Sequence, residues 1–592
     1  MKDAIAIDVR TRFRLRKRAT RTVFHACVLI LSATVSSLAS AEQATRQPTL
    51  DPTQTEKNID AQEAERKRAK PSSVQIPQVA RPEIPTDTKP LFKLTGVSVR
   101  GASVLPDDAI AETYRPYIGS TVSKADLAII AAKIGDRYRD AGYYLSRAIV
   151  PPQDVNGGRI HIRIIEGAIA EIILKGEGVE QFGVRPLLDA VVAEYPSRLK
   201  TLERQLLLIN DRPGVRVIDT ALEEIGNATG RFRLIVHLKT WHVGEFFGFN
   251  NWGTPWAGPW QVYSASAFNS TFTAGDSLGL NLSTVPNDPR ELRFGRTSYD
   301  LPVGLSGVRL GASALYANVW PGDSRKNLDD HTATETYEAR ASIDPVLSRK
   351  SALRLIAALG YSDVSERTSL GTVYNDHIRT VGLAADYKLH DDLGGWNYLN
   401  VFYRHGLGVL DASRSGDAFL SNSNGSGIFS VLNFSFTRYQ SLSDLVSVKV
   451  SSSGQWASAP LLTSQQFYIG GPIFGRGYYS GDLSGDNGVA GAVELRFDQK
   501  LANGFLKGYQ LYSFIDGGAV WNYGEGRDDV FSLTSGGAGV RFYLPDELLA
   551  DLTITAPLQS HSPTGINHGP RFLLSVSKAF EVCPNRVQMR CL

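Results

Sequence analysis

The chain has 592 residues, 42% of them apolar and 55 of them glycine, which is room for several domains and a lean towards β structure rich in turns. Its formal charge of +3 misleads, because residues 1–41 hold eight Lys/Arg and two Asp; the remainder carries 55 basic against 58 acidic groups, a net charge of −3. No basic patch is left to call for nucleic acid.

Basic residues run to Arg21, an apolar VFHACVLILSATV follows, and SSLASAEQ then offers small residues before a cut after Ala41. That order predicts an export signal over residues 1–41 rather than a membrane anchor, since the apolar core is too short to span. Cys27 falls inside it. The exported chain keeps only Cys583 and Cys591, a pair that could close one small loop in an oxidising compartment.

Residues 42–90 join a charged, helix-permissive TQTEKNIDAQEAERKRAK to the proline-spaced PSSVQIPQVARPEIPTDTKP, a helix followed by an extended linker. Residues 91–240 read as two copies of one α/β unit, 91–168 and 169–240, each a strand, two helices and two strands. In the first, FKLTGVSVRGA alternates as a strand, SKADLAIIAAKIGDRYRDAG has apolar positions at helical spacing with a stop at Gly142, and RIHIRIIEG alternates again. The second runs from IAEIILKGEG to RFRLIVHLKT.

From Trp241 the period becomes two and persists for more than three hundred residues. In TVGLAADYKLH, Val381, Leu383, Ala385, Tyr387 and Leu389 share one face, and Asp386, Lys388 and His390 the other. In GAVELRFD, Val493, Leu495 and Phe497 oppose Glu494, Arg496 and Asp498. A soluble sandwich alternates too, but with shorter strands. Aliphatic and aromatic residues on one face and charges on the other predict a transmembrane antiparallel β-barrel over residues 241–580, with lipid outside and a wet lumen. At roughly twenty residues per strand and connection it has about sixteen strands. Residues 581–592 follow as a C-terminal extension.

Within the barrel, FYIGGPIFGRGYYSGDLSGDNG (Phe467–Gly488) holds a single guanidinium, Arg476, among many glycines. It misses the phosphate-loop spacing and precedes no helix. On YQLYSFIDGGAVW, Asp516 shares a face with Gln510, Tyr512 and Phe514, opposite Leu511, Ile515, Ala519 and Trp521, so the alternation turns it into the lumen. Histidines are scattered without metal-like spacing, and neither a cofactor nor a catalytic set is expected.

An exported chain with two such modules ahead of a large barrel resembles the outer-membrane transporters of two-partner secretion, the haemolysin secretion/activation type. GYYLSRAIVPPQDVNGGRIHIRIIEG and LLLINDRPGV look like that family's two POTRA domains. IGGPIFGRGYY resembles its lumen-loop motif, here Gly475, Arg476, Gly477 and Tyr478, and FIDGG resembles its barrel-wall motif, here Phe514, Asp516 and Gly517. The resemblance implies that the loop folds back into the lumen with Arg476 against Asp516, for which a two-pronged pair is expected, and that residues 51–69 form a helix plugging the pore. It also implies a secreted exoprotein partner, often an adhesin or haemolysin, outer-membrane lipid around the barrel, and barrel assembly machinery reading a last strand that ends at Phe580. The alternatives are an assembly factor of the same superfamily, which carries more POTRA units, and a passive porin, which needs none.

Overall fold

The computed structural model describes residues 74–77, 79, 84–502, 504–524, 530–559 and 569–582. The expected export signal, the helix expected over 51–69, and Cys583 and Cys591 lie outside the described residues.

Two α/β modules precede the barrel. In the first, strand Gly96–Arg100 runs parallel to Arg159–Ile165, which pairs antiparallel with Arg147–Ile149. Helices Asp107–Tyr114 and Lys124–Asp140 cover one face of this sheet. The second helix begins on a capping box, with Ser123 accepting from the Asp126 amide while Asp126 accepts from Ser123, which satisfies donors a helix start otherwise leaves open. Its Ile130, Ile134 and Tyr138 join Leu94, Ile110, Ile160 and Ile162 in one core. The second module repeats the order: strand Ala168–Lys175, helices Arg185–Val192 and Leu199–Asp211, then Val215–Glu224 and Arg231–Thr240. Leu202, Leu206, Ile209, Leu234 and Val236 fill its core.

Sixteen strands then close into an antiparallel barrel in chain order. The ring is completed where Val243–Asn250 pairs with Arg571–Val582, from Asn250 opposite Ser575 to Val243 opposite Val582. This last strand continues two residues past Phe580, because Glu581 and Val582 still find partners in Gly244 and Val243 and Lys239 pairs with Glu581 at 2.5 Å. Lys578 stands on its outward face, its ammonium 4.8 Å from the Phe580 ring centroid, so the stem covers apolar surface near the rim. The alternation holds on the wall: on Gly508–Trp521, Gln510, Tyr512, Phe514 and Asp516 are buried while Leu511 and Ile515 are exposed outward. The strands His331–Leu347, Ser351–Thr368 and Gly371–His390 have 17, 18 and 20 residues, well beyond the roughly ten that cross a hydrocarbon core, and project past it.

The second module is fastened to the barrel turns nearest it. Arg204 donates to the carbonyls of Ser306 and Asp344 at 3.0 and 2.9 Å, and Arg354 of the wall pairs with Asp211 of the module at 2.7 Å and with Asp344 at 2.8 Å. Between the modules, Arg147 meets both oxygens of Glu224 at 2.7 and 2.9 Å.

Glu166 sits at the turn from one module to the next and ties back into the first. Its carboxylate accepts from the Ser103 amide at 2.7 Å, the Ser103 hydroxyl, the Val104 amide at 3.2 Å and the Tyr138 hydroxyl at 2.8 Å. Burial alone would raise its pKa, but these bonds outweigh burial and hold it below the usual carboxylate range. The stabilisation is therefore complete above the unfolded value near ~4.3 and is lost as pH falls through the lower folded value. Glu166→Gln is expected to destabilise the first module by about 1–3 kcal/mol at pH 7 and to flatten its loss of stability on acidification. Urea unfolding of the full-length protein between pH 7 and pH 3 measures both, and a variant with the parent's pH dependence would remove Glu166 from this role.

Candidate functional site

The long connection between strands Val446–Ala457 and Asn487–Lys500 leaves the barrel at the end away from the modules and turns back into the lumen. Its base is a short antiparallel hairpin, Phe467–Ile469 with Leu483–Gly485. Asp486 pins that base, accepting from the amides of Leu461 and Tyr523 at 3.0 Å each and from Gln466 Nε2 at 3.1 Å.

At the tip, two glycines are required for different reasons. Gly475 has φ of +85°, where an L side chain is strained, and a Cβ there would run into Leu533. Gly477 passes so near the wall that a Cβ would come 2.8 Å from backbone atoms of Ala556 and Pro557. Gly517, on the facing wall strand, has no room for a Cβ against the Leu533 carbonyl. Backbone and wall can thus close on each other, and Arg476 is delivered into a nest of carboxylates.

Arg476 Nε donates to Asp516 Oδ2 at 2.8 Å, and its Nη1 donates to Glu494 Oε2 at 2.9 Å. The pairing differs from the two-pronged contact with Asp516 alone: the fork is divided between two carboxylates on neighbouring strands. The reason is the loop backbone, whose Gly475 and Arg476 amides donate to Asp516 Oδ1 at 3.1 and 3.2 Å, while the Ser535 hydroxyl takes the same oxygen. With that oxygen occupied, the second prong turns to Glu494. The guanidinium also lies over the Phe514 ring, 3.7 Å from its centroid.

Glu494 is the centre of a wider network. Besides Arg476 it accepts from Arg496 Nε at 2.8 Å and Arg541 Nη1 at 2.9 Å, and Arg541 Nε donates to Asp551 at 2.8 Å. Three guanidinium groups and three carboxylates are therefore interleaved across the loop and four adjacent wall strands. Asp516 and Glu494 are 0% and 3% exposed and Arg476 13%, so the pairs lie out of bulk water, where each charge depends on the others.

Tyr478 anchors the other side of the tip. It is 1% exposed among Ile469, Leu483, Ala490, Val520 and Leu533, and its carbonyl accepts from Arg571 on the last strand. Arg571 in turn covers the Tyr479 ring at 4.3 Å, and Trp256 meets Tyr479 edge-on at 5.5 Å. Of the residues singled out in the sequence, Gly475, Arg476, Gly477, Tyr478, Phe514, Asp516 and Gly517 all stand at this one contact. Glu494, Arg541, Ser535 and Arg571 were not among them; the alternation in GAVELRFD turns Glu494 inward, but only the register of the wall shows which arginines reach it.

Residues 236–542, more than half of the chain, match the family described as haemolysin secretion/activation protein ShlB/FhaC/HecB. The chain belongs to this family. Residues 92–167 match its ShlB-type POTRA domain. The heme/hemopexin transporter protein HuxB of Haemophilus influenzae is 24% identical over 506 residues, covering 83% of this chain and 87% of HuxB. The outer membrane transporter CdiB of Escherichia coli is 23% identical over 565 residues, covering 89% of this chain and 91% of CdiB. The solved structure of CdiB from Escherichia coli shares the fold, with a TM-score of 0.69 at 18% identity over 92% of this chain and all of that one. This member of the ShlB/FhaC/HecB family is an outer-membrane translocator of two-partner secretion with its POTRA modules in the periplasm. The loop therefore enters the lumen from the cell surface.

Removing the Arg476 guanidinium leaves Asp516 and Glu494 buried with one cation fewer, a defect of about 3–5 kcal/mol in loop docking. In Arg476→Ala, and equally in Glu494→Gln, hydrogen exchange at Phe467–Ile469 and Leu483–Gly485 is expected to speed up roughly 100-fold or more. Unchanged protection in both variants would mean that the Tyr478 cluster alone holds the loop.

Proposed function

We propose that the periplasmic modules capture an extended stretch of one secreted exoprotein, adhesin-like or haemolysin-like, and that it passes unfolded through the lumen past the Arg476 loop. The observation that carries this reading is the loop itself. An element entering from the surface is fixed to the wall by a balanced cluster of buried charges, so it shapes the passage at that level instead of lying over it. At the opposite mouth, Arg204 and Arg354 hang the second module directly on the barrel turns, which sets a binding surface beside the pore. The outer membrane is remote from cytosolic nucleotide, so transport draws on binding steps and on folding outside. Gly475, Arg476, Gly477 and Tyr478 act as the loop's latch, and Phe514, Asp516 and Gly517 as its seat on the wall.

Arg476→Ala and Asp516→Ala are each expected to reduce secretion strongly with the barrel still in the membrane, and the double change to be no worse than either alone. Arg476→Lys should rescue poorly, since an ammonium cannot span two carboxylates while stacking on Phe514. Secretion measured beside heat-modifiable migration of the barrel tests this, and additive defects or a fully active Arg476→Ala chain would leave Arg476 an ordinary loop charge. Deleting residues 91–240 should abolish secretion with the barrel inserted; normal secretion from that form would make the modules a spacer.

A further inference from the structure

The core of the second module contains a residue from outside it. Val74, in the proline-spaced linker ahead of the first module, is 3% exposed and shares a cluster with Leu202, Leu206, Val217 and Leu234. Ile76 and Val79 pack against the same cluster, and the Thr220 hydroxyl donates to the Gln75 carbonyl at 2.6 Å. Thr220 lies on Val215–Glu224, an edge strand of its sheet, whose register shifts between Val217 and Asp219. Beside that shift Ile218 is 54% exposed.

Side chains and one hydroxyl make this hold. Among the described residues no ladder joins the linker to the edge strand, and Pro77 has no N–H with which to extend one. Beside the filled side-chain slot, two amides of the edge instead rest on nearby side chains, Val217 on Asn210 Oδ1 at 2.6 Å and Thr220 on Asp219 Oδ1 at 2.8 Å, partners that an incoming strand could replace. A segment without proline, with apolar side chains two residues apart, would fill the same slot and add a strand to the edge as well. It would hold more tightly than the linker does.

We propose that the second module carries a slot for an extended peptide, that Val74 and Ile76 of the chain's own linker fill it at rest, and that an extended segment of the secreted exoprotein displaces them. The last clause rests on the transport reading above; the slot and its internal occupant do not.

The probe is a fluorescent peptide of residues 72–80, SSVQIPQVA, added to the full-length protein in detergent. It is expected to bind the Val74→Asp/Ile76→Asp variant saturably, to bind the parent at least about tenfold more weakly because the slot is taken, and to lose affinity when Thr220→Val is added to the variant. Equal binding to parent and variant, or none to the variant, would overturn the slot. If the aspartates unfold the module, Val74→Ala/Ile76→Ala reads the same competition. A photocrosslinking amino acid at Ile218 in secreting cells is expected to capture the linker at rest and the exoprotein during export. Capture of the linker alone while secretion proceeds normally would overturn displacement, and an absence of secretion by the parent chain would instead count against the transport reading.

Discussion

A strand in hydrocarbon has no water to satisfy its edge, so the ladder between Val243–Asn250 and Arg571–Val582 is the contact on which the rest of the structure depends. Closure fixes which side of every strand faces lipid and which faces the lumen. It also sets the register that brings Ala492 opposite Asp516 and Glu494 opposite Phe514, two pairs along from each other and so on the same lumen face. Without those two rungs in place, no loop arginine could reach both carboxylates. Ring, register and charge cluster are in this sense one construction.

The cluster shows how a lumen can be charged and yet firmly built. Buried ions lose hydration, and each is tolerated here because others replace it: Asp516 receives four donors, and Glu494 three guanidinium groups. Arg541 stacks 4.0 Å from the Tyr512 ring and Arg476 3.7 Å from the Phe514 ring, so two aromatic faces line the cationic layer. Such an arrangement has one fully satisfied state and several poor ones. It favours a loop that is either seated or released.

The barrel was legible because period-two alternation is written into each strand separately, and the inward turn of Asp516 could be read on YQLYSFIDGG alone. The resemblance of FGRGYY and FIDGG to a known loop and wall then brought Arg476 to Asp516. The division of the Arg476 fork was hidden, since it depends on where the Gly475 and Arg476 amides fall relative to Ser535, three segments distant in sequence. Val74 was hidden for a similar reason. A valine between prolines reads as linker, and its place in the second module's core depends on a fold formed more than ninety residues later. Alternation also carried the final strand to Phe580, whereas pairing with Gly244 and Val243 takes it to Val582.

The bridge from Arg354 to Asp211 and Asp344 has a mechanical consequence. The second module is clamped to the wall along its last helix, while the first is packed onto the second, with Leu145 in the second module's core, the Leu199 amide on the Gly142 carbonyl at 2.9 Å and the Arg147–Glu224 pair. Tension on a chain held by the second module passes straight into the ring of strands; tension on one held by the first must first cross the interface packed around Leu145. The two modules are thus unequal levers, one a bracket fixed on the wall and the other a longer arm carried on that bracket.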